Sequence, residues 1–339
     1  MNSKLLLPLI MLSLLCCSID SGLVAQTSSQ DDDVIRVETD VTNLPFTASD
    51  KNNRFITTLG QSDIRVLEDG VEQQLFTFQR ETDRPLSIAF LIDVSASEER
   101  TLPEEKRAAR SFIESVIQSK KDQAAIIPFT GSAFLEQGLT RDVFAIYRAL
   151  ERVEVALPAY LGSGRPLTGI TSRPGMKRPP QEGSTAIWEA IALTASEVLV
   201  KSPVQRRRAI ILLTDGRDTT SRLKASEAID AALDAETVIY AIGIGDSKYE
   251  GVDHDVLRGI AERTGGRAFF PKKDVDLNSV FKEIEQELRT QYLIAYSSAN
   301  KNRNGAYRQI RIEVTNPELQ REQLKLRYRP GYFAKPLNK

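Results

Sequence analysis

The sequence predicts a doubly wound α/β domain with a mostly parallel sheet, joined to a β-rich module. Five apolar runs are nearly continuous, as expected of strands buried on both faces: residues 86–92, 124–129, 209–214, 238–244 and 292–296. Amphipathic segments separate these runs. Because strands that alternate with helices connect through right-handed crossovers, the pattern predicts a parallel sheet covered by helices, spanning residues 86–298.

Four of the separating segments carry a single apolar stripe at helical spacing. The first stripe has the i, i+3, i+4, i+7, i+8 pattern of one helix face and consists of Ala109, Phe112, Ile113, Val116 and Ile117. Similar stripes begin at Ile187, Ala225 and Leu277. These segments are predicted to be helices that pack against the sheet.

The flanks of this domain read as short strands. Residues 34–82 alternate between apolar and polar positions, and Asp69-Gly70 is a tight-turn signal between two of the strands. Residues 306–333 alternate in the same way, so we expect the two flanks to combine into one β-rich module. Residues 158–182, rich in proline and glycine, are predicted to form a loop inserted in the α/β domain.

Composition argues against a nucleic-acid partner. The chain has 339 residues, of which 41% are hydrophobic and 27% charged, and its formal net charge is −1. Nucleic-acid-binding proteins usually show a basic excess, which this sequence lacks. A local basic cluster, residues 206–208, directly precedes an apolar strand and is interpreted as a solvated turn.

Residues 1–25 are interpreted as a secretory signal peptide. Lys4 precedes an apolar run, residues 5–17, that is shorter than the roughly 20 residues of a membrane span, and Ala25 ends a small-residue cleavage site. A polar linker, residues 26–33, follows. Both cysteines, Cys16 and Cys17, lie in this segment, which leaves open a lipoprotein signal. No later segment reaches membrane-spanning length, so we expect a product exported to the periplasm, the cell envelope or the medium.

Oxygen-bearing side chains follow two of the predicted strands. Asp93, Ser95 and Ser97 form an Asp-x-Ser-x-Ser turn after residues 86–92, and Asp215 follows residues 209–214. Thr185 stands at the start of a predicted helix. Ligands of open parallel sheets bind beyond the carboxyl ends of the strands. Because all five groups are hard oxygen donors, the pattern predicts a divalent-cation site, with Mg²⁺ favoured and Mn²⁺ or Ca²⁺ as alternatives.

These motifs resemble the metal-ion-dependent adhesion site of von Willebrand factor type A (VWA) domains. The resemblance rests on Asp93-x-Ser95-x-Ser97, Gly183-Ser184-Thr185 and Thr214-Asp215-Gly216, in that order. The flanking segments 64–70 and 329–333 are similar to those of a bacterial group of exported VWA-related proteins. The inserted residues 158–182 depart from a compact VWA pattern.

The resemblance implies adhesion rather than catalysis. In VWA domains the serines and the threonine ligate the cation directly, and the aspartates ligate it directly or through water. The cation keeps a position for a carboxylate from outside, so the expected partner is a protein that presents Asp or Glu. The resemblance further implies that ligation can shift the Asp215 loop and the last helix, around residues 276–289.

Other interpretations stay open at this point. Asp93 and Asp215 could cap the helices that follow them. A metal-dependent hydrolase, or a structural envelope protein with a vestigial site, would also fit the residues. Asp218 is interpreted as a solvated loop residue, Trp188 as packing at the edge of the core, and His254 as the start of a helix.

Overall fold

The computed structural model describes residues 41–81, 84–118, 120–155, 165–166, 184–244, 251–271 and 274–334. All of them belong to one unit, Asp40–Lys339. The predicted signal peptide and linker, residues 34–40 and most of the inserted loop lie outside the described residues.

The strands and helices are numbered in chain order. The strands β1 to β16 are Val41–Ser49, Ile64–Glu68, Val71–Glu72, Leu75–Arg80, Leu86–Asp93, Gln123–Phe129, Phe134–Leu135, Gln137–Thr140, Arg165–Pro166, Arg207–Thr214, Thr237–Gly243, Ala268–Phe269, Tyr292–Ser297, Tyr307–Val314, Lys325–Arg327 and Gly331–Phe333. The helices α1 to α7 are Leu102–Val116, Val143–Arg152, Ile187–Leu193, Ala225–Asp234, His254–Arg263, Asp274–Arg289 and Pro317–Arg321. Within the described ranges, no helix has the length and apolar character needed to cross a membrane.

A six-stranded sheet forms the centre of the α/β part, in the order β12-β11-β10-β5-β6-β8. All neighbours run parallel except β8, which is antiparallel to β6. The chain leaves β5 for β6 on one side and later returns to β10 on the other. The carboxyl ends of β5 and β10 therefore flank the point where the strand order reverses, which is where such sheets bind ligands.

Helices cover both faces of this sheet, which confirms the predicted fold class. On one face α1, α2 and α6 pack against alternate residues of β5 such as Ile88 and Phe90. On the other face α3, α4 and α5 pack against the intervening residues Ala89 and Leu91. Both faces of β5 are buried, which explains why its sequence is apolar at nearly every position.

One apolar run does not belong to the central sheet. Residues 292–296 were expected as its last strand, but β13 pairs antiparallel with β1 and β4. Its side chains are nevertheless mostly buried, and Ile294 and Tyr296 are fully so. A continuous apolar run indicates that a strand is buried, but it does not indicate to which sheet the strand belongs. The sequence pattern therefore could not assign β13 to the antiparallel sheet.

The two flanks of the chain form a pair of four-stranded antiparallel sheets, β15-β1-β13-β4 and β16-β14-β2-β3. Residues of both sheets share one core, among them Phe46 of β1, Val66 of β2 and Ile312 of β14. Strands from before the α/β part thus pair with strands from after it, β2 with β14 and β1 with β15. This is the β-rich module that the flanks predict.

Glu68 lies at the centre of this module and joins its two sheets. The carboxylate forms an ion pair with Arg308 at 2.9 Å and accepts hydrogen bonds from the hydroxyls of Tyr296, at 2.9 Å, and Tyr332, at 3.0 Å. Burial alone would raise the pKa of Glu68, but these donors and Ser298 outweigh it and lower the pKa. The segments 64–70 and 329–333, singled out in the sequence, therefore meet at one buried carboxylate.

Gly331 allows β16 to lie close enough to β14 for the two strands to pair. A Cβ atom at this position would lie 2.2 Å from the carbonyl oxygen of Arg308 and 2.5 Å from the Tyr307 ring. Since both contacts are far inside van der Waals distance, β16 can pair with β14 only if this residue is glycine.

The basic triplet is not a solvated turn, contrary to the interpretation of the sequence. Arg206, Arg207 and Arg208 are all buried. Their guanidinium groups donate to main-chain carbonyls: Arg206 to Leu86, Arg207 to Leu288 in the last turn of α6, and Arg208 to the residue after α4, Ala235. The free carbonyls at helix C-termini need donors and favour cations, which accounts for the burial of Arg207 and Arg208.

We expect Arg308→Met to lower the free energy of unfolding by roughly 3 kcal/mol, because it leaves the Glu68 charge buried without its cation. Denaturant unfolding at neutral pH measures this. Arg311→Met is the matched control on the same strand: the Arg311 side chain is 66% exposed, so its loss should cost less than about 0.5 kcal/mol. Equal effects of the two substitutions would contradict the assignment of Glu68 and Arg308 as a buried pair.

Candidate metal centre

The turn after β5 places three oxygen-bearing side chains together. Asp93 is the last residue of β5 and is fully buried. One of its carboxyl oxygens accepts the Ser95 N–H at 3.0 Å, and the hydroxyls of Ser95 and Ser97 are 3.0 Å apart. The Asp-x-Ser-x-Ser spacing thus folds the two hydroxyls back toward the strand end.

The end of β10 brings the second carboxylate to the same place. Thr214, the last residue of β10, donates its hydroxyl proton to the other Asp93 oxygen at 2.6 Å. The Asp215 carboxylate accepts the Arg217 N–H at 2.9 Å and a hydrogen bond from the Ser97 hydroxyl. Oxygens of Asp93 and Asp215 lie within 4.8 Å of each other. Four of the five predicted residues are therefore linked through their side chains.

The backbone of Thr185 is tied to the loop that follows β10. It is buried and stands just before α3. Its N–H donates to the Thr219 hydroxyl at 2.8 Å, and its carbonyl accepts the N–H groups of Thr219, at 2.9 Å, and Thr220, at 3.1 Å. These contacts hold Thr185 against the loop that begins with Asp215. Gly183 of the same motif lies outside the described residues.

Asp218 lies in the loop after β10, as expected, but it is partly buried and hydrogen-bonded rather than solvated. Its carboxylate accepts the N–H of Ile187, the first residue of α3, at 2.8 Å and the Ser221 hydroxyl at 2.5 Å. A residue of the Asp215 loop thus caps the helix that follows Thr185. The cap comes from a segment distant in sequence, so no local pattern could have revealed it.

Neither Asp93 nor Asp215 caps an α-helix, so that alternative interpretation is also wrong. The first α-helix after Asp93 begins only at Leu102, and the first after Asp215 begins at Ala225. Trp188 is partly buried against the core, and His254 begins α5, as the sequence predicts.

Sequence reasoning missed Glu98 and Glu105, two buried glutamates beside this site. The Thr101 hydroxyl donates to one Glu98 oxygen at 2.6 Å. Among the described residues, the other Glu98 oxygen has no hydrogen-bond donor, and Glu105 is hydrogen-bonded to Thr101 and to the Glu98 carboxyl group. A signal for Glu105 was present: it stands at i−4 from Ala109 and i−7 from Phe112, on the apolar stripe of α1.

Burial dominates the electrostatics of the site. Burial raises the pKa of Asp93 to about 6, and the nearby Asp215 charge adds to this, while hydrogen bonds from Thr214 and Ser95 oppose it. Burial also raises the pKa of Asp215. At the effective dielectric of about 20 that suits protein sites, two charged carboxylates whose oxygens lie within 4.8 Å of each other repel by roughly 3 kcal/mol or more. A cation between them would turn this repulsion into attraction.

The donor set suits a hard divalent cation. Oxygens of Asp93, Asp215 and Glu98 lie within 4.8 Å of one another, and the hydroxyls of Ser95 and Ser97 adjoin them. Carboxylate and hydroxyl oxygens are ligands of Mg²⁺, Mn²⁺ and Ca²⁺, whereas zinc prefers nitrogen and sulfur. The residues present therefore fit the cation that the motif implies.

Comparison with known families and structures identifies the domain. Two family models of the von Willebrand factor type A domain match, one over residues 88–217 and the other over residues 175–286. Together they span the central sheet from β5 to α6. The chain is therefore a VWA domain protein. No curated protein matches the sequence.

Solved structures with a similar fold come from several organisms. An aerotolerance-related membrane protein from Bacteroides fragilis is 20% identical over 60% of this chain and 98% of its own, with a TM-score of 0.43. Proximal thread matrix protein 1 from the mussel byssus, solved with a zinc-occupied MIDAS motif, is 18% identical over 66% of this chain and 50% of its own, with a TM-score of 0.49. A von Willebrand factor type A protein from Catenulispora acidiphila is 14% identical over 77% and 73%, with a TM-score of 0.46.

Replacing Asp218 with alanine should destabilise the protein by about 1 kcal/mol, because α3 then loses its cap. Asp218→Asn keeps a carbonyl oxygen that can accept the Ile187 N–H, so it should cost less than half as much. Denaturant unfolding compares the two variants. If alanine and asparagine behave alike, the hydrogen bond to α3 contributes nothing to stability.

The raised pKa of Asp93 predicts a pH dependence in the absence of divalent cations. The folded pKa, about 6, lies above the ordinary value of 3.8, so protonation favours the folded state. The resulting stability is present below pH 4 and is lost as the pH rises through 6. Between pH 4 and 7.5, unfolding free energies measured in EDTA should fall by roughly 2 kcal/mol more in the parent than in Asp93→Asn. Parallel profiles would refute the assignment.

Proposed function

We propose that this chain is an exported adhesion protein that binds a protein ligand through a divalent cation. The cation is held by Asp93, Ser95, Ser97, Thr185 and Asp215. The observation that carries the proposal is the convergence of two buried carboxylates, at the ends of neighbouring strands, with the serine hydroxyls between them. Such a cluster is costly without a cation and stable with one.

The chain's own residues hold and orient the cation. The Ser95 N–H and the Thr214 hydroxyl fix the two oxygens of Asp93, and the Arg217 N–H fixes one oxygen of Asp215. Thr219 and Asp218 tie the Thr185 segment to the Asp215 loop. When bound, the cation supplies an electrophilic centre for a carboxylate from a partner's Asp or Glu. Mg²⁺ is our choice of cation, since the donors are oxygens.

The VWA family and the residue content of the chain both favour a binding function over a catalytic one. VWA domains generally mediate binding. The chain contains a single histidine, His254, and both of its cysteines lie in the predicted signal peptide. His254 stacks on Phe270 at 4.0 Å, at the start of α5, so it is engaged in packing. We place the protein outside the cytoplasm on the sequence of residues 1–25.

The cation half of this proposal is tested with the purified protein. At a free concentration about a hundred times its Kd, Mg²⁺ or Mn²⁺ should raise the melting temperature of the protein by about 5 °C. Asp93→Asn should abolish this rise. Asp255→Asn is the matched control, because the Asp255 side chain is 97% exposed on α5, and it should respond like the parent. A parent that neither binds nor is stabilised by any divalent cation would end the proposal.

The same variants test whether a protein partner binds through the cation. Immobilised parent protein in Mg²⁺ should retain a protein from cell-envelope extract, and EDTA should release it. The Asp93→Asn column should retain none of that protein, whereas the Asp255→Asn column should match the parent. Capture that persists in EDTA or in Asp93→Asn would show that binding does not run through the cation.

A further inference from the structure

Glu98 follows directly after Ser97, yet its side chain turns inward. It is fully buried in the short helical turn Ala96–Glu98. Its neighbour Glu99 is exposed. A buried carboxyl group in the loop next to the site requires a partner, because burial without one is strongly unfavourable.

The partners that the fold supplies satisfy only half of this carboxyl group. The Thr101 hydroxyl donates to one oxygen at 2.6 Å. The second oxygen is inaccessible to solvent and has no donor among the described residues. The acidic groups around Glu98 are Glu105, Asp93 and Asp215, all of which repel a negative charge on it.

The position of Glu98 relative to the two aspartates is the second observation. One oxygen each of Asp93, Glu98 and Asp215 lies within 4.8 Å of the other two. Two oxygens that ligate one Mg²⁺ or Mn²⁺ at about 2.1 Å lie no more than about 4.2 Å apart. Small side-chain adjustments would therefore bring the three oxygens into a single coordination shell.

We propose that Glu98 is a direct ligand of the cation, so that the site contains three carboxylates rather than two. This inference rests on the proposed function, since it concerns the same cation. Three carboxylates exceed the charge of a divalent ion. Glu98 is therefore an internal carboxylate that strengthens retention of the metal and competes electrostatically with the partner's carboxylate.

The test compares Glu98→Gln with Glu99→Gln, the same change at the exposed neighbour. Isothermal titration with Mn²⁺ should show at least about tenfold weaker binding for Glu98→Gln. Glu99→Gln should stay within about twofold of the parent. In the electron paramagnetic resonance spectrum of bound Mn²⁺, broadening by ¹⁷O-labelled water counts the coordinated waters, and Glu98→Gln should show one more than the parent.

Folding of the variant is measured separately, by denaturant unfolding in EDTA. Glutamine can still accept the Thr101 proton, and the change removes a buried like charge, so Glu98→Gln should be at least as stable as the parent. Parental Mn²⁺ affinity together with a parental water count in Glu98→Gln would overturn the inference and leave the proposed function standing. A parent that does not bind Mn²⁺ would overturn both.

Discussion

Repulsion among buried carboxyl groups is the constraint around which this edge of the sheet is built. Asp93, Glu98, Glu105 and Asp215 are all less than one-tenth exposed. Groups of like charge separate unless something holds them, and here the backbone does so. β5 and β10 are hydrogen-bonded over seven residue pairs, from Arg207–Leu86 to Leu213–Ile92. The strand ends therefore cannot move apart to relieve the repulsion.

The loops at this edge are also joined to one another. The Thr130 hydroxyl, just after β6, donates to the Ser184 carbonyl at 2.5 Å, and the Thr130 carbonyl accepts the Ala186 N–H at 2.8 Å. The Thr219 hydroxyl accepts the Thr185 N–H at 2.8 Å. Two separate segments, one after β6 and one after β10, thus fix the position of the Thr185 backbone. A site whose ligands are already positioned loses little conformational entropy on binding, which favours affinity.

Much of this arrangement could be predicted from the sequence because it depends on local patterns. Continuous apolar runs identified the strands, and the order of strands and helices then fixed which ends share an edge. Asp93 and Asp215 follow from that reasoning alone. The predictions that failed concern contacts between residues that are distant in sequence. The buried cations Arg206–Arg208, the cap from Asp218 and the sheet to which β13 belongs all depend on partners distant in sequence.

Glu98 shows a different limit of sequence reasoning. A glutamate next to a turn is usually solvated, since full burial of a charged side chain is rare. Only the apolar stripe of α1, interrupted by Glu105, hints that acidic groups turn inward here. Buried acids are informative because they oppose the general rule, and a chain retains them where they have a role.

The short link between α6 and β13 has a mechanical meaning. Only Thr290 and Gln291 separate the last turn of that helix from the strand that is hydrogen-bonded to β1 and β4. Two residues provide only about 7 Å of reach, so there is almost no slack between the two parts. If α6 slid or tilted, it would displace β13 and the antiparallel sheet to which β13 belongs. The rigidity of that sheet would in turn resist the movement of the helix.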